Sequence, residues 1–275
     1  MIPRTNGYGV LCLVIAFLLS SPSAVFAFPS VSIEVADEKR EVAAQKAFDQ
    51  LNEKMGEAQE AYYKPMTDAR EKGLSQKEMK EIELDPELAP LKVVGPEMLK
   101  AIEKYAGTEA ALEASDQMLS MAGRSEDSGW MLEKVLAVLK THYLKSEKLA
   151  DVVRYAYYSS DAPVMVDFLN LVISDSPHRE VQATSCYALA KIKGKKKETR
   201  EDGLALFRRI QNEYGDVPYG RGVFADKIKG DIFEMENLQI GCVAPEIIGK
   251  EISGKLMQLS SFRGKVVLLD FWGDW

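Results

Sequence analysis

"KVVLLDFWGDW", residues 265–275, is the stretch on which the reading of this chain turns. Four consecutive aliphatic residues lead into an acid and then into two tryptophans around a glycine. A short apolar run of this kind, bounded by turn residues, reads as a strand buried on both faces, because a strand with one wet face would alternate. Upstream of it, from Leu238, glycines stand at 241, 249, 254 and 264 among short β-type segments. Glycines at that density mark turns between strands rather than helix.

The order of residues in this tail is specific. I-G-x-x-A-P (residues 240–245), G-x-x-x-x-G-K (249–255) and L-S-x-F-R-G-K-V-V-L-L-D-F-W-G-x-W (259–275) together resemble the start of a thioredoxin-fold redoxin of the TlpA/ResA and AhpC/TSA type, over residues 239–275. The resemblance implies an opening hairpin, a short turn at residues 259–262, a central strand, and then a C-x-x-C motif at the head of a helix. It also implies that Trp272 and Trp275 shape the rim of the redox site. Asp270 would be the buried acid behind the second cysteine, taking its proton. An acid carried by a strand buried on both faces is withdrawn from water, which suits proton transfer. The competing reading of Asp270 is a strand-end acid meeting solvent or a turn amide.

Thiol–disulfide exchange needs an acidic thiol, obtained at a helix N-terminus, and a resolving thiol one turn on. The sequence contains no C-x-x-C. It therefore reads as an exported thiol–disulfide oxidoreductase in a C-terminally truncated, redox-inactive form, whose full-length counterpart would act on protein thiols and disulfides or a redox partner. Two alternatives stand beside this: a helical-repeat binding or scaffold protein with a vestigial redoxin tail, and a thiol peroxidase of the AhpC/TSA type. The chain stops where the first redox residue is due. UGA differs by one base from both cysteine codons and also encodes selenocysteine, so an in-frame UGA read as termination is expected, with a nonsense mutation as its rival.

Work outside the cytoplasm follows from the other end. Arg4, an apolar stretch at residues 10–19 and the small residues of "SSPSAVFA" (20–27) form a secretory signal, with cleavage after Ala27 and Val25 three residues before the cut. The apolar run is shorter than the roughly 20 residues of a membrane span, so no stable span is expected after cleavage; an uncleaved anchor is the alternative. Cys12 lies inside this signal. Cys186 and Cys242 then remain in a compartment that permits disulfides, read as two free thiols with a bridge between them as the alternative.

Residues 28–37 read as an extended leader and residues 38–237 as a helical domain, either a tetratricopeptide-like stack of helix pairs or an irregular bundle. Phe48, Leu51, Met55, Ala58 and Tyr62 recur at helical spacing, with Pro65 and the region of Gly73 as breaks. A short helix ended by Pro86 and Pro90 follows. Further helices are expected at 96–105, 108–122 (capped by Thr108), 129–144, 147–158, 163–173, 177–192, 202–214 (capped by Asp202) and 223–237. "AALEASDQMLSMA" (110–122) and "REVQATSCYALA" (179–190) match at an offset of 69, with small residues at the crossing and large ones a turn later. The fold class is thus mainly α, followed by the first strands of an incomplete α/β thioredoxin fold.

A net charge of −7 argues against nucleic acid as a partner. His142 and His178 each stand alone, and no Gly-rich phosphate loop or paired Cys/His spacing occurs, so no cofactor and no metal are expected. The helical domain could hold a protein partner. "RYAYYSSD" (154–161) reads as aromatics packed into neighbouring helices, with a ligand groove as its rival.

Overall fold

The structure, a computed structural model, describes residues 29–123 and 129–272, without the side chains of residues 29–35. The signal segment with Arg4, Cys12, Val25 and Ala27, and the second rim aromatic, Trp275, lie outside the described residues.

Two compact units divide the chain, Met1–Glu38 and Lys39–Trp275. The described part of the first is helical, because α1 spans Pro29–Glu71. The extended leader expected at 28–37 is therefore helix from Pro29 onward. Proline suits the first helical position, where its lacking N–H would have no partner in any case, and neither glycine nor proline follows until Gly56.

In the second unit α1 buries Ala44, Phe48, Leu51 and Met55, one stripe at helical spacing. Pro65 does not end the helix as expected. It lies on the solvent side, where water can reach the carbonyl that a proline leaves unpaired one turn back. The end comes at Gly73, whose φ of +72° only glycine adopts freely. Leu74 N–H then reaches back to the Ala69 carbonyl at 3.1 Å.

The single-turn α2 (Gln76–Met79) is held by a capping box between Ser75 and Glu78. Pro86 and Pro90 open elements rather than ending one: a 3-10 turn at Pro86–Leu88, and α3 at Pro90–Lys104, which carries Pro96 inside it. Next come α4 (Glu109–Ala122), α5 (Gly129–His142), α6 (Leu149–Arg154) and α7 (Ala156–Ser159). Thr108 caps α4 as expected, accepting from Ala111 N–H at 3.2 Å. The helix expected at 147–158 breaks at Tyr155 into α6 and α7.

The chain continues through α8 (Pro163–Asp175), α9 (Arg179–Gly194) and α10 (Arg200–Glu213). Asp202 lies in the first turn of α10 and Thr199 holds the cap position. An unanticipated small hairpin, β1 (Pro218–Tyr219) with β2 (Gly222–Val223), turns at Gly220 and feeds α11 (Phe224–Asn237).

Helix α9 is the hub. It is buried from Ala183 to Ala190 without a break, and α8, α10, α6 and α7 pack around it. The α9–α10 crossing is backbone-close: a Cβ on Gly203 would meet Gly194 N at 2.8 Å and the Ala190 carbonyl oxygen at 2.9 Å. Tyr187, on the same helix, is ringed by Tyr157, Phe207, Tyr219 and Phe224 with centroids 5.5–6.0 Å away. Its hydroxyl donates to the buried carboxylate of Asp231 at 3.3 Å, which also accepts from Lys191 Nζ at 2.9 Å.

The other end of the unit is fastened by two adjacent residues of α1. Arg40 donates to the Ala106 and Lys104 carbonyls at the end of α3, at 2.8 and 3.3 Å. Glu41 accepts from the Glu109 and Ala110 N–H groups at the start of α4, at 2.9 and 2.8 Å. Each charge faces the helix end of opposite polarity. Tyr143 closes the same loop, its hydroxyl donating to the Thr108 carbonyl at 2.7 Å and accepting from Gly107 N–H at 2.8 Å.

The offset of 69 seen between α4 and α9 also carries α3 onto α8 and α5 onto α10, within about four residues at each boundary. Leu112, Ala114 and Met118 are buried, as are their counterparts Val181, Ala183 and Tyr187. Among the described residues the buried apolar core ends at Ile228. No described helix is long and apolar enough to cross a membrane.

A core that closes before the tail begins predicts that residues 38–237 alone melt cooperatively with a strongly helical circular dichroism spectrum. In that fragment Gly203→Ala should cost about 1–3 kcal/mol through overpacking, read as a lowered denaturant midpoint. An unchanged midpoint would mean that the α9–α10 backbones stand further apart than described here.

Candidate functional site

The tail folds locally. β3 (Ile248–Lys250) and β4 (Leu256–Gln258) pair antiparallel, with Gly249 opposite Met257. Gly254, at φ +84°, makes the turn between them, and Glu251 N–H bonds to the Lys255 carbonyl at 2.9 Å. A 3-10 turn at Leu259–Phe262 follows directly, where a hairpin and turn are expected. Glu246 ties that turn to the start of the hairpin: its carboxylate accepts from Ser260 N–H at 3.0 Å and Ile247 N–H at 3.2 Å. These bonds from Ser260, above all, hold the Glu246 carboxyl below its ordinary range. Sequence reasoning missed Glu246, because nothing in "APEII" marks a carboxylate that caps a turn more than ten residues later.

The expected buried strand does not form. Residues 265–272 belong to no sheet and are exposed throughout. Their exposure nonetheless alternates with the period of a strand: Val266 103%, Val267 42%, Leu268 94%, Leu269 47%. Val267 and Leu269 lean toward Val243, Pro245, Leu259 and Phe262, around a shallow cavity of about 280 Å³. One face of the segment is thus half covered and the other is bare. A strand becomes buried only when neighbours pair with its edges and cover its faces, and the described residues supply no such neighbour beyond the hairpin.

Asp270 and Trp272 ride on this segment, and both are exposed. Asp270 is therefore not enclosed here, and Trp272 is 84% exposed. Neither described cysteine belongs to a C-x-x-C pair. Cys186 is buried in α9, its Sγ–H donating to the Leu206 carbonyl at 3.7 Å, and burial pushes the thiol up to about 12. At neutral pH it is an inert packing atom. Cys242 is exposed, in the turn after α11, and both are free. His178 sits at the start of α9 with Nε2 2.9 Å from the Lys145 carbonyl oxygen. No cluster that could hold a metal occurs among the described residues.

With this geometry in view, the similarities fall on a limited part of the chain. It is 40% identical over 55 residues to the thiol-disulfide oxidoreductase ResA of Bacillus thuringiensis (strain Al Hakam) and equally to that of Bacillus anthracis, covering 20% of this chain and 27% of each relative. With ResA of Bacillus cereus (strain ATCC 10987 / NRS 248) it shares 38% over 47 residues, 17% of this chain. The chain thus spans about a quarter of the length of the curated relatives it matches. These matches support a thioredoxin-like redoxin segment over about a fifth of the chain. No family model matches, and no solved structure does.

Three measurements check this arrangement. Native-state alkylation with iodoacetamide, read by mass spectrometry, is expected to modify Cys242 and to spare Cys186 until denaturant is added. Rapid modification of native Cys186 would overturn the buried assignment. Hydrogen exchange should be fast across residues 239–272 and slow in α9, and deleting the tail should raise solubility, since bare apolar edges associate. Strong protection of the residue 266–269 amides in the monomer would show the segment to be sheltered.

Proposed function

We propose that residues 239–275 are the opening segment of a thioredoxin-like redoxin domain in an exported thiol–disulfide oxidoreductase, preceded by a helical domain (38–237) for docking or oligomerisation. The observation that carries this reading is the half-covered segment at 265–272. It has strand periodicity, follows a hairpin and turn in the order that redoxins use, and lies in a chain locally similar to ResA proteins. Its bare face and unpaired edges are those that a complete redoxin sheet and covering helix would occupy.

In that setting a C-x-x-C motif following Trp275 would supply the redox pair. The first thiolate would attack a substrate disulfide, forming a mixed disulfide and releasing one substrate thiolate. The second thiol, losing its proton to Asp270, would displace the other and leave the motif oxidised. Enclosure by the following helix would turn Asp270 from an exposed acid into a proton acceptor, and Trp272 and Trp275 would flank the approach of a protein thiol or disulfide. The 275 residues themselves hold no such pair, so this chain alone is redox-inactive.

Insulin-disulfide reduction tests the proposal. A protein carrying residues 239–275 within a complete redoxin domain, with a C-x-x-C after Trp275, should reduce insulin disulfides, and residues 1–275 alone should not. Equal activity of the two, or none in the longer protein, overturns the proposal. Export is tested separately: N-terminal sequencing of the secreted protein should begin at Phe28, and an intact Met1 would assign residues 1–27 as an anchor.

A further inference from the structure

The tyrosine-rich stretch that the redox reading does not use borders a cavity of about 540 Å³ on the helical unit. The cavity is lined by Asp116 and Ser120 of α4, Gly123 at its end, Val152 of α6, and Tyr155, Tyr158 and Ser159 at α7. Tyr157, the residue between the two lining tyrosines, is buried against Tyr187, as sequence reading expects of the whole stretch. Tyr155 and Tyr158 differ. They are 57% and 68% exposed, with rings nearly parallel at 25° and centroids 6.5 Å apart.

The wall is fixed by a close approach. A Cβ on Gly123 would stand 2.2 Å from the Tyr158 carbonyl oxygen and 2.9 Å from Ser159 Cα, so α4 can end against α7 only with glycine there. α7 is held from behind, where Lys195 Nζ donates to the Tyr157 carbonyl at 2.6 Å.

Asp116 is the unusual member. It is half-buried, and among the described residues no hydrogen bond or ion pair engages its carboxylate. Among the described residues, the cations of the surrounding elements are committed elsewhere. Arg154 pairs with Asp151 at 3.3 Å and Glu180 at 3.7 Å and lies over the Tyr219 ring, while Lys196 pairs with Asp161 at 2.8 Å. Desolvation, and then repulsion from Asp151, push the Asp116 carboxyl above its ordinary range. A half-buried acid facing another acid, with no cation of its own, is relieved by a cation from outside. Electron-rich ring faces at the mouth attract the same charge, and the hydroxyls of Ser120 and Ser159 can accept its N–H groups.

We propose that this cavity binds an organic cation, an alkylammonium or guanidinium group, through the Asp116 carboxylate and the faces of Tyr155 and Tyr158. The cation arrives either as a free polyamine or as a lysine or arginine side chain of a partner protein. The site is independent of the redox reading and stands or falls without it.

Saturation-transfer NMR and calorimetric titration of the 275-residue protein with spermidine, with the peptide acetyl-Gly-Lys-Gly-amide, and with n-butanol as a neutral control test the site. Saturable binding of at least one amine and none of butanol is expected. Asp116→Asn should weaken it about tenfold, the loss of one charge-assisted contact, and Tyr155→Leu or Tyr158→Leu about threefold each. Each variant should keep the parent helical spectrum and melting point. Asp226→Asn, an acid on α11, should bind like the parent protein. Saturation by spermidine alone assigns the site to free amines, whereas comparable binding of the peptide assigns it to a protein side chain. No saturable binding of either amine overturns the proposal. So does binding that survives Asp116→Asn, or loss of the same size in Asp226→Asn.

Discussion

The approach of α10 to α9 at Gly203 is the contact on which the helical unit rests. At 2.8–2.9 Å from a would-be Cβ to the backbone of α9, there is room for no side chain, and the two helices touch through their main chains. That contact places Phe207 and Ile210 of α10 against a helix already covered by α6 and α8. α9 thus becomes the rare helix of a small domain that is apolar or small nearly all round. Its sequence says so: Ala183, Thr184, Ser185, Ala188 and Ala190 crowd one short stretch, and only Tyr187 and Leu189 fill volume. Packing at interior density leaves little freedom once such a helix is enclosed, and the aromatic ring around Tyr187 and the Asp231 network are arranged about it.

Much of this was legible from residues alone. Helix positions followed from the spacing of apolar side chains and from Thr108, Pro163 and Gly73, whose local chemistry decides their role whatever surrounds them. Misreadings came where a residue's role depends on what lies across from it. Pro65 read as a break and Pro96 as a helix start, yet both lie inside helices, because a proline on an exposed helix face is tolerated. Pro86 and Pro90 read as stops and serve as starts, because the same ring that ends one helix favours the first turn of the next. The Arg40 and Glu41 contacts, some 65 positions away in sequence, and the Glu246 cap leave no trace in a one-dimensional pattern.

The tail shows the opposite case. Its local structure, a hairpin and a 3-10 turn, appears where the pattern puts it, because each is closed by bonds among near neighbours. The strand that should follow does not, because a strand is a property of a sheet rather than of a segment. Val266 and Leu268 have the right composition for burial, and no described neighbour covers them. Asp270 is affected in the same way: the sequence supplies the acid, and only enclosure can supply its environment.

Arg40 and Glu41 have a consequence for α1 that goes beyond tying down one loop. Neighbouring residues of opposite charge address helix ends of opposite polarity, the carbonyls closing α3 and the N–H groups opening α4. Sliding α1 by one residue would bring the carboxylate to the α3 carbonyls in one direction, or the guanidinium to the α4 N–H groups in the other, so that attraction at one of the two points becomes repulsion. The pair therefore acts as a key that indexes the long helix, fixing its axial position and rotation together. Apolar stripes tolerate small slips; a polar key of this kind does not. It lets a helix whose buried side holds only a handful of large side chains keep a single register.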